Sequence, residues 1–303
     1  MVLNRFSVIK IDAIRQAIRW TTDALTDIIK GMKANEVTIY TDMDGTALTD
    51  WDRGPILPPR NLEAIRAFVA AGGAFSVASG REAVDILRFF PGVEFRAPLV
   101  CGNGAVVYDA AAGKILRQIS LPRAYKEEAA AYFLSRPGLW IVAADPEQIW
   151  QVTCGDPVKD APIGDWDRPF LSLEEFLEDD RFIKMVYVLP DGVGMEQLKK
   201  NIAQFSSAGL AAGTQSGPRY LEMVEHTVSK ADGIRFARQA AGLEDRKLIC
   251  IGDYFNDLPM LQMADIAACP INGAQGIRDI CRIITCGNNA GAVADLIEQL
   301  KLI

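Results

Sequence analysis

Apolar residues recur near the start of the chain at Ile11, Ile14, Ile18, Leu25, Ile28 and Met32, and Thr21 completes an alternating three-four spacing. That period places them on one stripe of a helix over about residues 12–33, a stretch with no proline and no glycine before Gly31. The stripe is narrow enough to resemble a coiled-coil seam, so it packs either on the body of the chain or against a second copy. Gly31 and Asn35 then end the helix.

From Val37 the pattern changes to short apolar runs separated by helical periodicity. Residues 37–40, 74–78 and 98–101 predict buried strands, with helices over 59–71 and 82–89 between them. The alternation returns after residue 215, with helices over 230–241, 257–263 and 290–300 and strands over 247–251, 265–268 and 282–285. Strands alternating with helices predict a doubly wound parallel sheet covered on both faces. Right-handed crossovers put all strand carboxyl ends on one edge, where ligands bind. The middle of the chain differs. Strands over 115–121, 140–143, 150–153 and 185–189 are interspersed with helices near 124–135, 173–180 and 195–206. The expected organisation is an N-terminal helical extension (1–35), a Rossmann-like α/β core (36–118 and 215–303) and an inserted, smaller α+β cap domain (119–214).

Composition narrows the function. Half of the 303 residues are hydrophobic, enough for a sizeable core, and the formal net charge is -7, from 39 acidic and 32 basic residues. That balance lacks the basic footprint of a nucleic-acid binder. No apolar run approaches the ~20 residues of a bilayer span. Lys10, Asp12, Arg15 and Arg19 interrupt any signal-peptide pattern. Six cysteines without a Cys-x-x-Cys pair read as those of a reduced, cytoplasmic protein.

Four elements at strand ends or helix starts carry candidate chemistry. The first is Asp42-Met43-Asp44-Gly45-Thr46, directly after an apolar strand. One carboxylate can attack phosphorus, and a second two residues on can move the proton. A calcium loop is the competing reading of Asp-x-Asp-Gly, but the glutamate at loop position twelve is absent. The second is Ser79-Gly80-Arg81, whose hydroxyl and backbone N–H groups at a helix start suit an anion, although Ser-Gly also makes plain turns. In the third, Ser229-Lys230, the lysine offers a compact cation for phosphate, or else a solvated surface charge. The fourth, Gly252-Asp253-Tyr254-Phe255-Asn256-Asp257, offers acids beyond a buried strand for a Mg²⁺ site, or an N-cap for the next helix.

In this order the four elements resemble the signature of the haloacid dehalogenase-like superfamily, and the chain is similar to its Cof-type branch of phosphatases. Cys101-Gly102-Asn103-Gly104-Ala105 resembles that branch's Asn-Gly-Ala element, and the insert sits where its cap does. The resemblance covers about residues 36–303. It implies a Mg²⁺-dependent phosphoric monoester hydrolase acting on a small phosphorylated metabolite, such as a sugar phosphate, through an aspartyl-phosphate. Asp42 is then the nucleophile and Asp44 the general acid/base, with Ser79 and Lys230 gripping the phosphate. The Asp42 carboxylate, the Asp44 carbonyl and Asp253 hold Mg²⁺. Asn256 contacts phosphate or positions the lysine, Asp257 supports Lys230 and the metal's waters, and Thr46, Gly80, Arg81 and Asn103 lie around the substrate. His226-Thr227 and Cys269-Pro270-Ile271-Asn272 depart from the family's usual Pro-Gly and Met-Gly-Asn, and the first 35 residues have no counterpart. His226, the lone histidine, reads as a loop residue near the site's edge and not as a base. Trp140, Trp150, Trp166, Arg168, Arg181 and Lys184 are candidate cap contacts. Two alternatives remain: a phosphomutase or phosphotransferase using the same intermediate, and a non-catalytic phospholigand-binding protein working through the N-terminal helix.

Overall fold

The computed structural model describes residues 31–50, 54–156, 168–190, 194–215 and 218–303. The expected N-terminal helix, and any self-association through it, lies almost wholly outside the described residues, as does Trp166.

The core is a five-stranded parallel sheet in the order Ile283–Thr285, Ile266–Pro270, Lys247–Ile251, Val37–Thr41, Ala74–Val77. Its strands are continuous apolar runs because both faces are covered. On one face Ile39, Phe75, Ile249 and Ile251 meet Ile65 and Phe68 of helix Pro59–Ala70 and Leu296 and Ile297 of helix Ala292–Gln299. On the other, Tyr40, Leu248 and Cys250 meet Ile234 and Ala237 of helix Lys230–Ala240 and Met260 of helix Leu258–Met263. From Val37–Thr41 the chain runs outward to Ala74–Val77, then later returns to Lys247–Ile251 on the other side. The crevice between the two central strands is therefore the switch point where such sheets bind ligands.

The expected strand near 98–101 does not extend this sheet. After Cys101 the Gly102–Gly104 turn sends the chain straight back, so Leu99–Cys101 pairs with Val106–Asp109 and then Lys114–Gln118 in an antiparallel three-stranded sheet. One parallel bridge, Ala78 to Val100, ties it to the central sheet.

The insert forms a six-stranded sheet in the order Ala211–Gln215, Tyr220–Glu225, Lys184–Val188, Trp140–Ala144, Ile149–Thr153, Phe170–Ser172. Helices Arg123–Leu134, Leu173–Glu178 and Met195–Ile202 contribute to its separate core around Tyr125, Phe133, Phe176, Met185, Tyr187 and Leu198. This sheet runs past the expected limit at 214 to Glu225, because Tyr220–Glu225 pairs along its length with Lys184–Val188. No helix among the described residues is long and apolar enough to cross a membrane.

Candidate active site

Asp42 follows Val37–Thr41 and keeps the sheet pairing for one further step, its N–H donating to Ile251 O at 2.9 Å. The chain then folds into a wide turn over Met43–Ala47, closed by Leu48 N–H on Met43 O at 2.8 Å. Gly45 makes this turn at φ 76°, and a Cβ there would stand 2.5 Å from an Asp253 carboxylate oxygen. Only glycine lets the two acidic loops approach so closely.

Lys230 joins the loops. It opens its helix after Ser229, whose side chain accepts from Asp232 N–H. Far from being a solvated surface charge, it is 1% exposed, and its Nζ donates to Asp42 Oδ1 and Asp257 Oδ1, each at 2.6 Å. Asp257 is fully buried, and its other oxygen accepts from Asp253 N–H at 2.9 Å and Tyr254 N–H at 3.1 Å. Thr46 Oγ1 donates to Asp253 Oδ1 at 2.8 Å. The loop Gly102–Gly104 buttresses the lysine's helix: a Cβ on Gly104, at φ 110°, would stand 2.1 Å from Ser229 O.

Asp42, Asp253 and Asp257 offer carboxylate oxygens within 4.8 Å of one another. Burial, then Asp257, pushes Asp42 well above the usual carboxylate range despite Lys230. Burial and Asp257 likewise push Asp253 up to about 6 against the Thr46 hydrogen bond. Burial alone would lower Lys230, but Asp257 and Asp42 outweigh it and the ammonium is stabilised. Three carboxylates thus share one cation, and hard oxygen donors with surplus negative charge suit a divalent cation. Both Asp257 oxygens are engaged by Lys230 and backbone N–H groups, so Asp42 and Asp253 are the side chains that fit such an ion.

A cleft of about 1120 Å³ opens over this floor, lined by Asp42, Asp44, Ser79, Gly80, Asn103 and Asp253 among others. Arg81 also lines it, but its guanidinium forks Asp44, Nε to Oδ2 at 2.9 Å and Nη2 to Oδ1 at 2.8 Å, and Nη1 engages Asp85. Its charge is therefore directed at the second aspartate, not held free for phosphate. Thr46, expected beside the substrate, is fully buried beneath the cleft, where its hydroxyl holds Asp253. Asn256 lines the cleft, while the bonds that position Lys230 come from Asp42 and Asp257. Asn103 takes φ 58° and donates through Nδ2 to Glu222 Oε2 at 3.5 Å. His226 is absent from the cleft lining; it is exposed, with Nδ1 2.5 Å from Glu225 Oε1.

Of the candidate cap contacts, Arg168 and Lys184 line the cleft. Trp140 packs on the cap sheet, Trp150 donates to Asp145, and Arg181 lies over the Trp150 ring, away from the cleft. Two participants, Glu222 and Asn272, were not among the expected site residues. Glu222 reaches Lys184 at 3.3 Å, and Lys184 Nζ donates to Gly80 O at 3.1 Å, joining cap to core beside Ser79. Asn272, in the stretch that departs from the family pattern, donates to Gly45 O at 2.8 Å and so steadies the Met43–Ala47 turn. The strict alternation of Leu221, Glu222 and Met223 was the available signal for the Glu222 strand.

The family model described as haloacid dehalogenase-like hydrolase matches residues 39–297. An Escherichia coli K12 protein named 5-amino-6-(5-phospho-D-ribitylamino)uracil phosphatase YbjI is 23% identical over 263 residues, 86% of this chain and 95% of that protein. Among solved structures, the phosphatase BT1666 from Bacteroides thetaiotaomicron superposes with TM-score 0.70 at 18% identity, covering 88% of this chain and 95% of its own. The subclass IIB sugar phosphatase BT4131 also gives TM-score 0.70 at 18% identity, covering 88% and 99%. With a family match across nearly the whole described core and cap, and the buried Asp42–Lys230–Asp257 cluster where the sheet's two central strands diverge, this chain belongs to the haloacid dehalogenase-like hydrolases.

Proposed function

We propose that the protein is a Mg²⁺-dependent phosphatase that hydrolyses a small phosphorylated metabolite through an aspartyl-phosphate on Asp42. The observation that carries this reading is the buried Lys230 shared by Asp42 and Asp257 at the floor of a cleft that also presents Asp44 and Ser79. A carboxylate held by a fixed cation, open to a cleft on one side, is arranged to meet an anionic electrophile.

In the first step an Asp42 oxygen forms a bond to phosphorus while the bond to the leaving oxygen breaks, its electron pair passing to the alkoxide. Asp44, protonated once it leaves the Arg81 fork, gives the departing oxygen its proton. Water then attacks phosphorus, Asp44 takes a proton from it, and Asp42 departs regenerated. Lys230 holds Asp42 in place and offsets charge on the transferring group, and the Ser79 hydroxyl and neighbouring N–H groups donate to the phosphate oxygens. Asp42 and Asp253 would hold Mg²⁺, with the Asp44 carbonyl supplied by the family pattern. When bound, the ion neutralises charge between the carboxylates and the phosphate. The cap, seated through Lys184, keeps bulk water from the site.

The test is phosphate release from a panel of phosphorylated metabolites. Turnover is expected with Mg²⁺ and is lost on chelation and in Asp42→Asn, whose circular dichroism matches the wild type. Transfer of the phosphoryl group to a sugar hydroxyl without net release would instead make the protein a mutase. Wild-type rates in Asp42→Asn would remove the nucleophile assignment.

A further inference from the structure

The catalytic groups leave one wall of the cleft unused, the face of the cap sheet turned away from the cap's own core. Pleating sends Val142, Ala144, Val186, Tyr220, Lys184 and Glu222 to that face, and the strand registers set Val186 between Val142 and Glu222 and Ala144 beside Lys184. The intervening Ile141, Met185, Tyr187 and Leu221 pack into the cap's own core. The face also carries Gln151 beside Val142 and Thr214 beside Glu222, and its apolar part is the stretch from Val142 and Ala144 to Val186, which ends at the Lys184–Glu222 ion pair.

A recess of about 200 Å³ opens in it, walled by Val142, Ala144, Ile149, Val186 and Tyr220, with Lys184 and Glu222 also lining it. Ile149, Lys184 and Glu222 line the catalytic cleft as well, so the two spaces adjoin across these three side chains. The bond from Lys184 to Gly80 O places this junction beside Ser79. Two strand steps lead from Lys184 to Val186, a rise of roughly 7 Å, which a short linker spans. An aliphatic cavity of ~150 Å³ is known to accept a benzene-sized ring.

We propose that this recess receives the far end of the leaving alcohol and selects phosphate monoesters whose alcohol ends in a compact ring over esters of open-chain polyols. The inference rests on the phosphatase reading above. A ring entering the recess exchanges water for Val142, Val186 and Tyr220, whereas hydroxyls placed there meet no partner on the valine walls. The ion pair at the junction meets the polar linker between phosphate and ring. Val186, partly exposed at the centre of the face, is the specificity-determining residue.

The test uses non-hydrolysable probes, so that binding is read apart from catalysis. A ladder of ω-phenylalkylphosphonates and the polyhydroxylated phosphonate of each chain length are titrated calorimetrically into the full chain with Mg²⁺. The best phenyl compound is expected to bind at least ~10-fold tighter than its polyol counterpart, the scale on which an apolar pocket discriminates. Val186→Phe fills the recess and removes that preference, and the near-isosteric Val186→Thr reduces it, which covers failure of the larger side chain to fold. Equal binding of the two series, or an unchanged preference in a folded Val186→Phe protein, overturns the inference. Acetyl phosphate hydrolysis by the wild type separates the two claims: hydrolysis without ring preference removes the recess assignment, while ring preference without hydrolysis removes the phosphatase reading.

Discussion

Lys230 concentrates the electrostatics of the site in one side chain. It is 1% exposed between Asp42 and Asp257, which are 6% and 0% exposed, so removing its charge leaves two buried carboxylates without their shared partner. Lys230→Met is expected to lower unfolding stability by ~3–5 kcal/mol, measured by urea denaturation, besides stopping turnover. A midpoint equal to that of the wild type would mean that the lysine does not hold the cluster together. The participants were legible in the sequence because each follows a strand or opens a helix and carries unambiguous chemistry. Their division of labour was less so. That Thr46 serves Asp253, and that Arg81 serves Asp44, depends on side chains 207 and 37 residues apart in sequence, respectively. Neither pairing leaves a trace in local pattern.

At the scale of the elements, the cap is held by contacts between its helices. Glu128, on helix Arg123–Leu134, accepts from the backbone N–H and hydroxyl of both Ser206 and Ser207, just beyond helix Met195–Ile202. Hydrogen bonds from Ser207 lead in holding its carboxyl down to about 2. A depressed carboxyl contributes stability fully present above its unfolded value of ~4.3 and lost as pH falls through the folded one. The melting-temperature difference between wild type and Glu128→Gln is therefore expected to be constant near neutrality and to shrink between about pH 4.5 and 2; a difference independent of pH over that window would contradict this. The strand and helix reading was sound where apolar runs are continuous, as in Lys247–Ile251, which sits in the sheet centre with both faces covered. It missed Phe170–Ser172, an edge strand of three residues, and Ala211–Gln215, where small residues and Gly213 leave little apolar signal. Leu99–Cys101 was recognised as a strand but assigned to the wrong sheet, since a turn decides its partner and not its own composition.

In the molecule as a whole, the acidic floor of the cleft and the cap come from different parts of the chain, and polar contacts join them beside Ser79. The path from Gly80 through Lys184 and Glu222 to Asn103 leaves the core, crosses two cap strands and returns to the core. Lys184 spans 104 residues of sequence to make its bond, and at the head of an apolar run it looked like one charge among several. Lys184→Met is expected to lower kcat/KM for phosphate esters by ~10²-fold with secondary structure intact, because a cap displaced by about 1 Å misplaces the leaving group. Unchanged kinetics would show that the cap seats by other means.

The claim on which the rest depends is that phosphorus becomes bonded to Asp42. Acid-quenching the wild-type enzyme during turnover with Mg²⁺, followed by peptide mapping, tests it directly. The account predicts a phosphoryl group on the peptide carrying Asp42, acid-stable and labile to hydroxylamine, and absent from Asp42→Asn. Phosphate release with no phosphoryl group on that peptide, or with one on another residue, would contradict it.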